Sequence, residues 1–462
     1  FPSLVNGRKM TKRLTYLLLL VLLPLFCSHL SPVRAQTATI KALYRSITDT
    51  YETKADSTTN AFIESFMIKD KGYFNVSYQH YAFNAYWTQA HAIDVVIYNY
   101  QRHKGIDTRL ANTYLTYIKR WYQNKANNYA GTAAKTSTTV STSTDYKMFE
   151  NPYTDDMCWI CLSLLHISEA LGVKSYTTTA KRLFDNAIIK RAKEDDRGFW
   201  LPWNNSSDSG PNACTEAPAC LAAAKLFLLY NDSTYLDYAV KLYDFTVKNI
   251  CKTDGRVEEP PLTYTQGTFG EACRMLYHIT GRATYKLNAG TYINYAFTNG
   301  RCTSNGLLRH EGTSMDQSLF KAVLIPYAVN FCLDESMTIT IRRTIIMALL
   351  KNADMLWKNL DKDSYPAMFC PYYWGEAYDS SQTASMGAMA SGASLMENVA
   401  RMCIGLTTKP EDDAIQVPLM PQRTQSNSIY TLGGRLVRSR TTDTEGLPAG
   451  IYIVNNRKVV VH

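Results

Sequence analysis

Two aspartates stand side by side, Asp155 and Asp156, in the stretch NPYTDDMCW (151–159). Neighbouring Cα atoms are about 3.8 Å apart, so adjacent carboxyls reach separations of roughly 5–7 Å, depending on rotamer. That is nearer the ~5–5.5 Å of retaining glycosidases than the wider gap that inverting enzymes need for a water. Thr154 is placed to cap a helix, which puts the pair in its first turn. There the helix N-terminus keeps one carboxyl ionised, while mutual repulsion raises the pKa of the other. One charged nucleophile and one protonated acid is what double displacement requires. Acids are favoured at any helix start, so the setting decides. Pro152, Tyr153 and Trp159 flank the pair, and Cys158, Ile160 and Leu162 carry the segment into an apolar interior. A second pair, Asp195-Asp196, precedes a glycine turn at the end of a polar helix and reads as a solvated turn.

The elements that must position these acids are helical. From residue 40 to 405 apolar residues recur at helical spacing, and alternating strands are almost missing. The pattern predicts twelve helices, near 40–56, 86–104, 108–126, 155–172, 174–193, 215–232, 233–251, 264–281, 282–300, 316–336, 340–360 and 380–405. They repeat in pairs. The joints ALGVKSY (170–176), LYNDSTY (229–235) and ITGRATY (279–285) each break a helix and set a Tyr near the start of the next. Glycine loops at Gly198, Gly255 and Gly306 follow at a similar period. Two-helix units of about 50–60 residues mark a stacked helical array. Six pairs close into an all-α (α/α)6 barrel. The segments CLAAAKLFLL (220–229) and SMGAMASGASLM (385–396) are small and apolar on most faces, as inner helices need. The inner set therefore begins near 86, 155, 215, 264, 316 and 380.

In such a barrel the inner-helix N-termini surround one mouth, with unpaired N–H groups and partial positive charge. The residues expected there are polar and aromatic: Trp87, Tyr153, Asn212, Tyr264, Gln266, Asp316 and Trp374, with Trp203 in a preceding loop. Flat aromatic faces with nearby hydrogen-bonding groups suit sugar rings. Asp316 is placed either to bond a sugar hydroxyl or to cap its own helix.

The stretches YWTQAHAIDVV (86–96), NPYTDDMCW (151–159), GFWLPWNN (198–205), NACTEAPACLAA (212–223), LTYTQGTFGEACRMLYHITG (262–281) and DQSLFKAVL (316–324) resemble glycoside hydrolase family 76, the endo-α-1,6-mannanases. The resemblance covers residues 40–405. It implies the (α/α)6 barrel, cleavage of α-1,6-linked mannan backbones with retention, and manno-oligosaccharide or α-mannan as substrate. By that likeness Asp155 is the nucleophile and Asp156 the general acid/base, Gln89 and His91 join the pocket, and no metal or organic cofactor is implied. Two other readings share the barrel. One is a glycan-binding protein without turnover. The other is an enzyme of uronic-acid polysaccharides, for which Arg309, His310 and Lys321 are the few basic candidates.

Net charge is +9 over 462 residues, but it sits at the ends. Residues 1–39 carry five basic and no acidic side chains, and residues 406–462 carry seven basic and five acidic, which leaves +2 on residues 40–405. A nearly neutral body speaks against a nucleic-acid partner and for a neutral ligand. Lys12-Arg13, the apolar run from Leu17 to Phe26 and Val33-Arg34-Ala35 read as an export signal, with 1–35 removed or upstream and Cys27 a weaker lipid-anchor alternative. Ten further cysteines lie mostly in apolar helical stretches and read as core packing. Pairings Cys214–Cys220 and Cys251–Cys302 stay open. Residues 406–427 read as a linker, and SIYTLGGRLV (428–437) with LPAGIYIVNNRKVVVH (447–462) as a β-rich tail over 428–462. That tail resembles the sorting domains of the type IX secretion machinery, which implies an exported or cell-surface protein. A monomer is expected.

Overall fold

The computed structural model describes residues 50–78, 86–130, 146–258, 262–364, 367–407, 429–431, 436–438, 442–454 and 457–461. The expected export signal (1–35) and nearly all of the linker (408–427) lie outside them.

Twelve α-helices are described. They are α1 (50–66), α2 (Tyr86–His103), α3 (Thr108–Ala130), α4 (Thr154–Leu171), α5 (Lys174–Leu183) and α6 (Ala213–Tyr230), then α7 (Ser233–Asn249), α8 (Thr263–Thr280), α9 (Ala283–Thr298), α10 (Phe320–Leu333), α11 (Ile339–Asn359) and α12 (Met386–Thr407). Helix α2 packs on α4, α4 on α6, α6 on α8, α8 on α10, α10 on α12, and α12 back on α2. The ring of inner helices is closed, so the array is a barrel. Helices α3, α5, α7, α9 and α11 lie outside their partners. Helix α1 completes the sixth pair: Thr59 Oγ1 donates to Glu397 Oε1 of α12 at 2.6 Å, and Tyr51 reaches Asp354 of α11.

The inner helices are apolar on nearly every face because they touch neighbours on both sides and the outer layer behind. In α6 all of Ala213–Ala224 is buried, and in α12 all of Met386–Ala400. Small residues permit the close approach. A Cβ on Gly267 of α8 would lie 2.8 Å from Leu324 Cα of α10, so this crossing admits only hydrogen.

The repeated joints have one structural cause. Gly172, Asn231 and Gly281 end α4, α6 and α8 in the left-handed conformation that glycine and asparagine tolerate. The Tyr that follows each, Tyr176, Tyr235 or Tyr285, is buried on the next outer helix. Each packs edge-on against an aromatic ring of the preceding outer layer: Tyr122, Phe184 and Tyr243.

Short antiparallel hairpins precede several inner helices. They are β1 (Met67–Ile68) with β2 (Tyr73–Phe74), β3 (Lys193–Asp195) with β4 (Gly198–Trp200), and β5 (Thr303–Ser304) with β6 (Leu307–Leu308). The tail forms a four-stranded antiparallel sheet of β7 (Ile429–Thr431), β8 (Leu436–Arg438), β9 (Gly450–Val454) and β10 (Arg457–Val461), in the order β10-β9-β7-β8. Its small core is Ile429, Tyr452 and Val454.

Candidate active site

The first turn of α4 is built by its neighbours rather than by its own cap. The N-cap is Tyr153, not Thr154, and no side chain caps the helix. Thr154 is buried as the first helical residue, and its N–H donates to the Trp203 carbonyl at 2.7 Å. Asn205 N–H returns a bond to Pro152 O at 3.0 Å, so 152–154 and 203–205 run as a short antiparallel bridge. Behind it, Arg191 donates to Pro152 O, Thr154 Oγ1 and Asn151 O at 2.7–3.2 Å. Arg191 ends a 3-10 turn (Ile189–Arg191) that follows a π turn (Phe184–Ile188) at the end of α5, where the sequence pattern predicts continuous helix to 193.

This frame sets Asp155. Its Oδ2 accepts from Trp203 Nε1 at 3.2 Å and from the Cys214 thiol at 3.3 Å, while Oδ1 is buried with no hydrogen-bond partner. Burial raises the Asp155 carboxyl to about 6, opposed by the bonds from Cys214, the Asp156 backbone and Trp203. The sequence pattern predicts that repulsion raises the acid of the pair and leaves the nucleophile low. The raised carboxyl here is instead Asp155, expected as the nucleophile, and the cause is desolvation. Asp156, half-buried, follows on the same turn. The other aspartate pair behaves oppositely. Asp195 ends β3, accepts from Arg197 and Trp200, and is held well below the usual carboxylate range by Arg197.

The barrel repeat brings equivalent positions to one level. The second residues of α2, α4, α6 and α8 are Trp87, Asp155, Cys214 and Tyr264. Trp87, Tyr264 and Phe320 form an aromatic group in which Tyr264 stacks on Phe320 at 4.4 Å and Trp87 on Phe320 at 5.9 Å. Trp159, one turn below Asp155, meets Tyr264 at 6.2 Å and His91 at 5.0 Å. His91 is buried, its Nε2 has no partner, and burial lowers its pKa to about 4, so the ring is neutral. Asp316 does not cap its helix; its Oδ1 accepts from Trp87 Nε1 at 2.7 Å. Tyr153 and Trp203, both about two-fifths exposed, pair at 5.1 Å beside the aspartates.

Three expected sugar contacts are turned inward instead. Gln89 is fully buried and bonds both backbone groups of Phe74. Gln266 is fully buried and bonds Val257 N–H, Gly255 O and Tyr292 O. Both sit fourth in their helices, as does Glu216, which accepts from Leu201 N–H at 2.8 Å. These side chains tie the preceding loop to the inner helix. Trp374 is fully buried beneath Lys321, whose ammonium lies 4.2 Å from the ring and donates to Tyr372 O. Asn212 caps α6 by accepting from Thr215 N–H at 3.0 Å. Cys214, Phe320 and Arg191, which contact Asp155, Tyr264 and Thr154, are neighbours of the pair and its aromatic group that composition alone did not single out. The basic candidates for a uronate are engaged elsewhere: Arg309 on Gly300 O, His310 on Gly312 N–H, Lys321 on Tyr372 O.

A cavity of about 420 Å³ on the same rim, between the loop before α12 and Tyr78, includes Asp361, Phe369 and Tyr378 but not the aspartates. Asp155 stands apart from this cavity, set by its hydrogen bonds to Trp203 and Cys214 and by its raised carboxyl. Among the described residues no three His, Cys, Asp or Glu side chains converge as a metal site. None of the ten cysteines within the described residues is in a disulfide, and nine of them are buried, so neither open pairing forms.

The glycosyl hydrolase family 76 model matches residues 46–403. No curated protein sequence matches the chain. Among solved structures, the GH76A α-1,6-mannanase from Salegentibacter sp. HEL1_6 is similar at a TM-score of 0.66 and 22% identity, over 76% of this chain and 99% of that one. An inactive variant of that enzyme, with two consecutive aspartates replaced by asparagine, is in complex with α-1,6-mannotriose and matches with the same score, identity and coverage. A family 76 glycoside hydrolase (mannosidase) from Bacteroides thetaiotaomicron VPI-5482 gives 0.58 at 16% identity, over 77% and 98%. At these identities the likeness is one of fold.

Proposed function

The chain belongs to glycosyl hydrolase family 76 and is a glycoside hydrolase, and we propose that it cleaves α-1,6-mannosidic linkages in mannan by double displacement, with Asp155 as nucleophile and Asp156 as general acid/base. The observation that carries this reading is Asp155 itself. It stands in the first turn of an inner helix, beside an exposed aromatic pair, with a second carboxyl next to it. The inactive mannanase variant, altered at two consecutive aspartates and bound to α-1,6-mannotriose, supports the substrate and the pair.

In the first step an Asp155 oxygen bonds to the anomeric carbon as Asp156 gives its proton to the departing glycosidic oxygen. In the second, Asp156 takes a proton from water, the water oxygen bonds to the same carbon, and Asp155 leaves as carboxylate. With a carboxyl near 6, Asp155 is charged at neutral pH, and its burial strips away water that would blunt its attack. Tyr153 and Trp203 offer ring faces to the CH face of a sugar. The protein acts as a monomer in this reading. Export belongs to it as well, directed by the segment before residue 36 and by the C-terminal sheet acting as a sorting domain, with 36–405 as catalytic domain and 406–427 as linker.

Asp155→Asn and Asp156→Asn test the proposal on linear α-1,6-mannan. Each is expected to lower kcat by at least about 100-fold with thermal unfolding still cooperative. Full activity in either, or faster release of oligosaccharides from an anionic polysaccharide than from mannan, contradicts it.

A further inference from the structure

The Cys214 sulfur lies 3.3 Å from Asp155 Oδ2 and 3.2 Å from Asn212 Oδ1. A thiol has one proton and donates to one of them at a time. The two acceptors are not equal. Bonds to an ionised carboxylate are stronger than bonds to a neutral amide, and Asn212 Oδ1 already accepts the Thr215 N–H. On Asp155, Oδ1 has no partner, so the side-chain donors that favour its charge converge on Oδ2: the Trp203 indole and this thiol.

We infer that Cys214 is a positioning residue for the nucleophile, its thiol proton directed to Asp155 while that carboxylate is charged and to Asn212 once the charge is consumed. The inference rests on Asp155 being the nucleophile. A glycosyl ester is a weaker acceptor than a carboxylate. On its formation the thiol proton has a second oxygen within reach, and no buried donor is stranded. When water releases the sugar, the carboxylate draws the proton back. The barrel repeat explains the placement, since Cys214 holds in α6 the position that Asp155 holds in α4. At the equivalent positions α2 and α8 carry the large rings of Trp87 and Tyr264; a cysteine there supplies a donor without covering the acid.

The test is the pH profile of kcat/KM on α-1,6-mannotetraose for the full chain, comparing Cys214→Val, which fills similar space without a donor, and Cys214→Ser, which restores one. The readout is the ratio of kcat/KM at pH 5.5 to that at pH 7.5 within each protein. It is expected to fall roughly 3–10-fold in the valine variant, as a lost hydrogen bond to a charged group would produce, and to return toward the parent in the serine variant. An unchanged ratio in the valine variant overturns the inference, as does a serine variant that matches valine. Asp155→Asn with Cys214 in place keeps the two ideas apart: its full activity removes the nucleophile assignment, whereas loss of activity there with an unchanged valine ratio removes only the role of the thiol.

Discussion

Trp203 touches the α4 start twice: its carbonyl accepts the Thr154 N–H at 2.7 Å and its indole donates to Asp155 Oδ2 at 3.2 Å. The same residue thus closes the first turn of the helix and orients the carboxylate that the turn presents. Its ring is also half of the exposed pair with Tyr153. Substitutions separate these duties. Trp203→Phe keeps the backbone bond and a flat face but loses the indole donor. It is expected to lower kcat roughly 10- to 100-fold, as a lost charge-assisted bond of about 1.5–3 kcal/mol implies. Tyr153→Ala removes ring area without touching the acid and is expected to raise KM while kcat holds. Steady-state kinetics on α-1,6-manno-oligosaccharides read both, and equal effects on kcat and KM in the two variants would contradict the division.

Activity depends on pH with a sign fixed by burial. Desolvation raises the Asp155 carboxyl to about 6, and the nucleophile acts only when ionised. The kcat/KM of the parent enzyme should therefore decline as pH falls through about 6 and approach a tenfold loss per pH unit below 5. A flat profile down to pH 4.5 would show Asp155 ionised throughout and would remove this part of the account.

Arg191 holds the segment before the aspartates through three oxygens, two of them backbone carbonyls. A guanidinium spans them with its planar fork, and an ammonium cannot. Arg191→Lys is expected to cost about 1–3 kcal/mol of stability and to lower kcat more than it raises KM, because Asp155 loses its fixed position. Thermal unfolding and kinetics together check this. Parent-like values in both would leave Arg191 a surface contact.

Glu216 is fully buried, bonded through one oxygen to Leu201 N–H, with Oε2 unpartnered, and burial raises its pKa well above the ordinary 4.5. A folded-state carboxyl raised in this way favours the protonated form, so its contribution to stability is present below pH 4.5 and diminishes as pH climbs. Gln89 and Gln266 hold the same helix position with an uncharged amide. Glu216→Gln is expected to raise the Tm at pH 7.5, with the gain shrinking toward zero below pH 4.5. A lower Tm at pH 7.5 would mean that the ionised form is the one the fold accommodates.

The barrel was readable because its repeat is written in local chemistry. Gly172, Asn231 and Gly281 must end helices, and the buried Tyr that follows each marks the next one. Helix α1 was less legible. Ser57-Thr58-Thr59-Asn60 is a poor helical run, and the pattern ends a helix near 56, yet α1 continues to 66 because Thr59 is bonded to Glu397, 338 residues away. Asp155 and Asp156 stood out by type and setting. Gln89, Gln266 and Trp374 did not separate from them, since a polar or aromatic side chain near a helix start faces the mouth or the loop behind it according to a rotation of one residue, about 100°. Reading Trp87, Asp155, Cys214 and Tyr264 as one repeated position would have found Cys214, and the inward Gln89, Glu216 and Gln266 as another.

The stereochemistry of the first product tests the central assignment most directly. Proton NMR of α-1,6-mannotetraose during its first minutes of hydrolysis resolves the anomer released before mutarotation. Attack by Asp155 followed by water predicts the α-anomer, with net retention. A first-formed β-anomer would mean that water attacks in a single step, and that Asp155 is not the nucleophile.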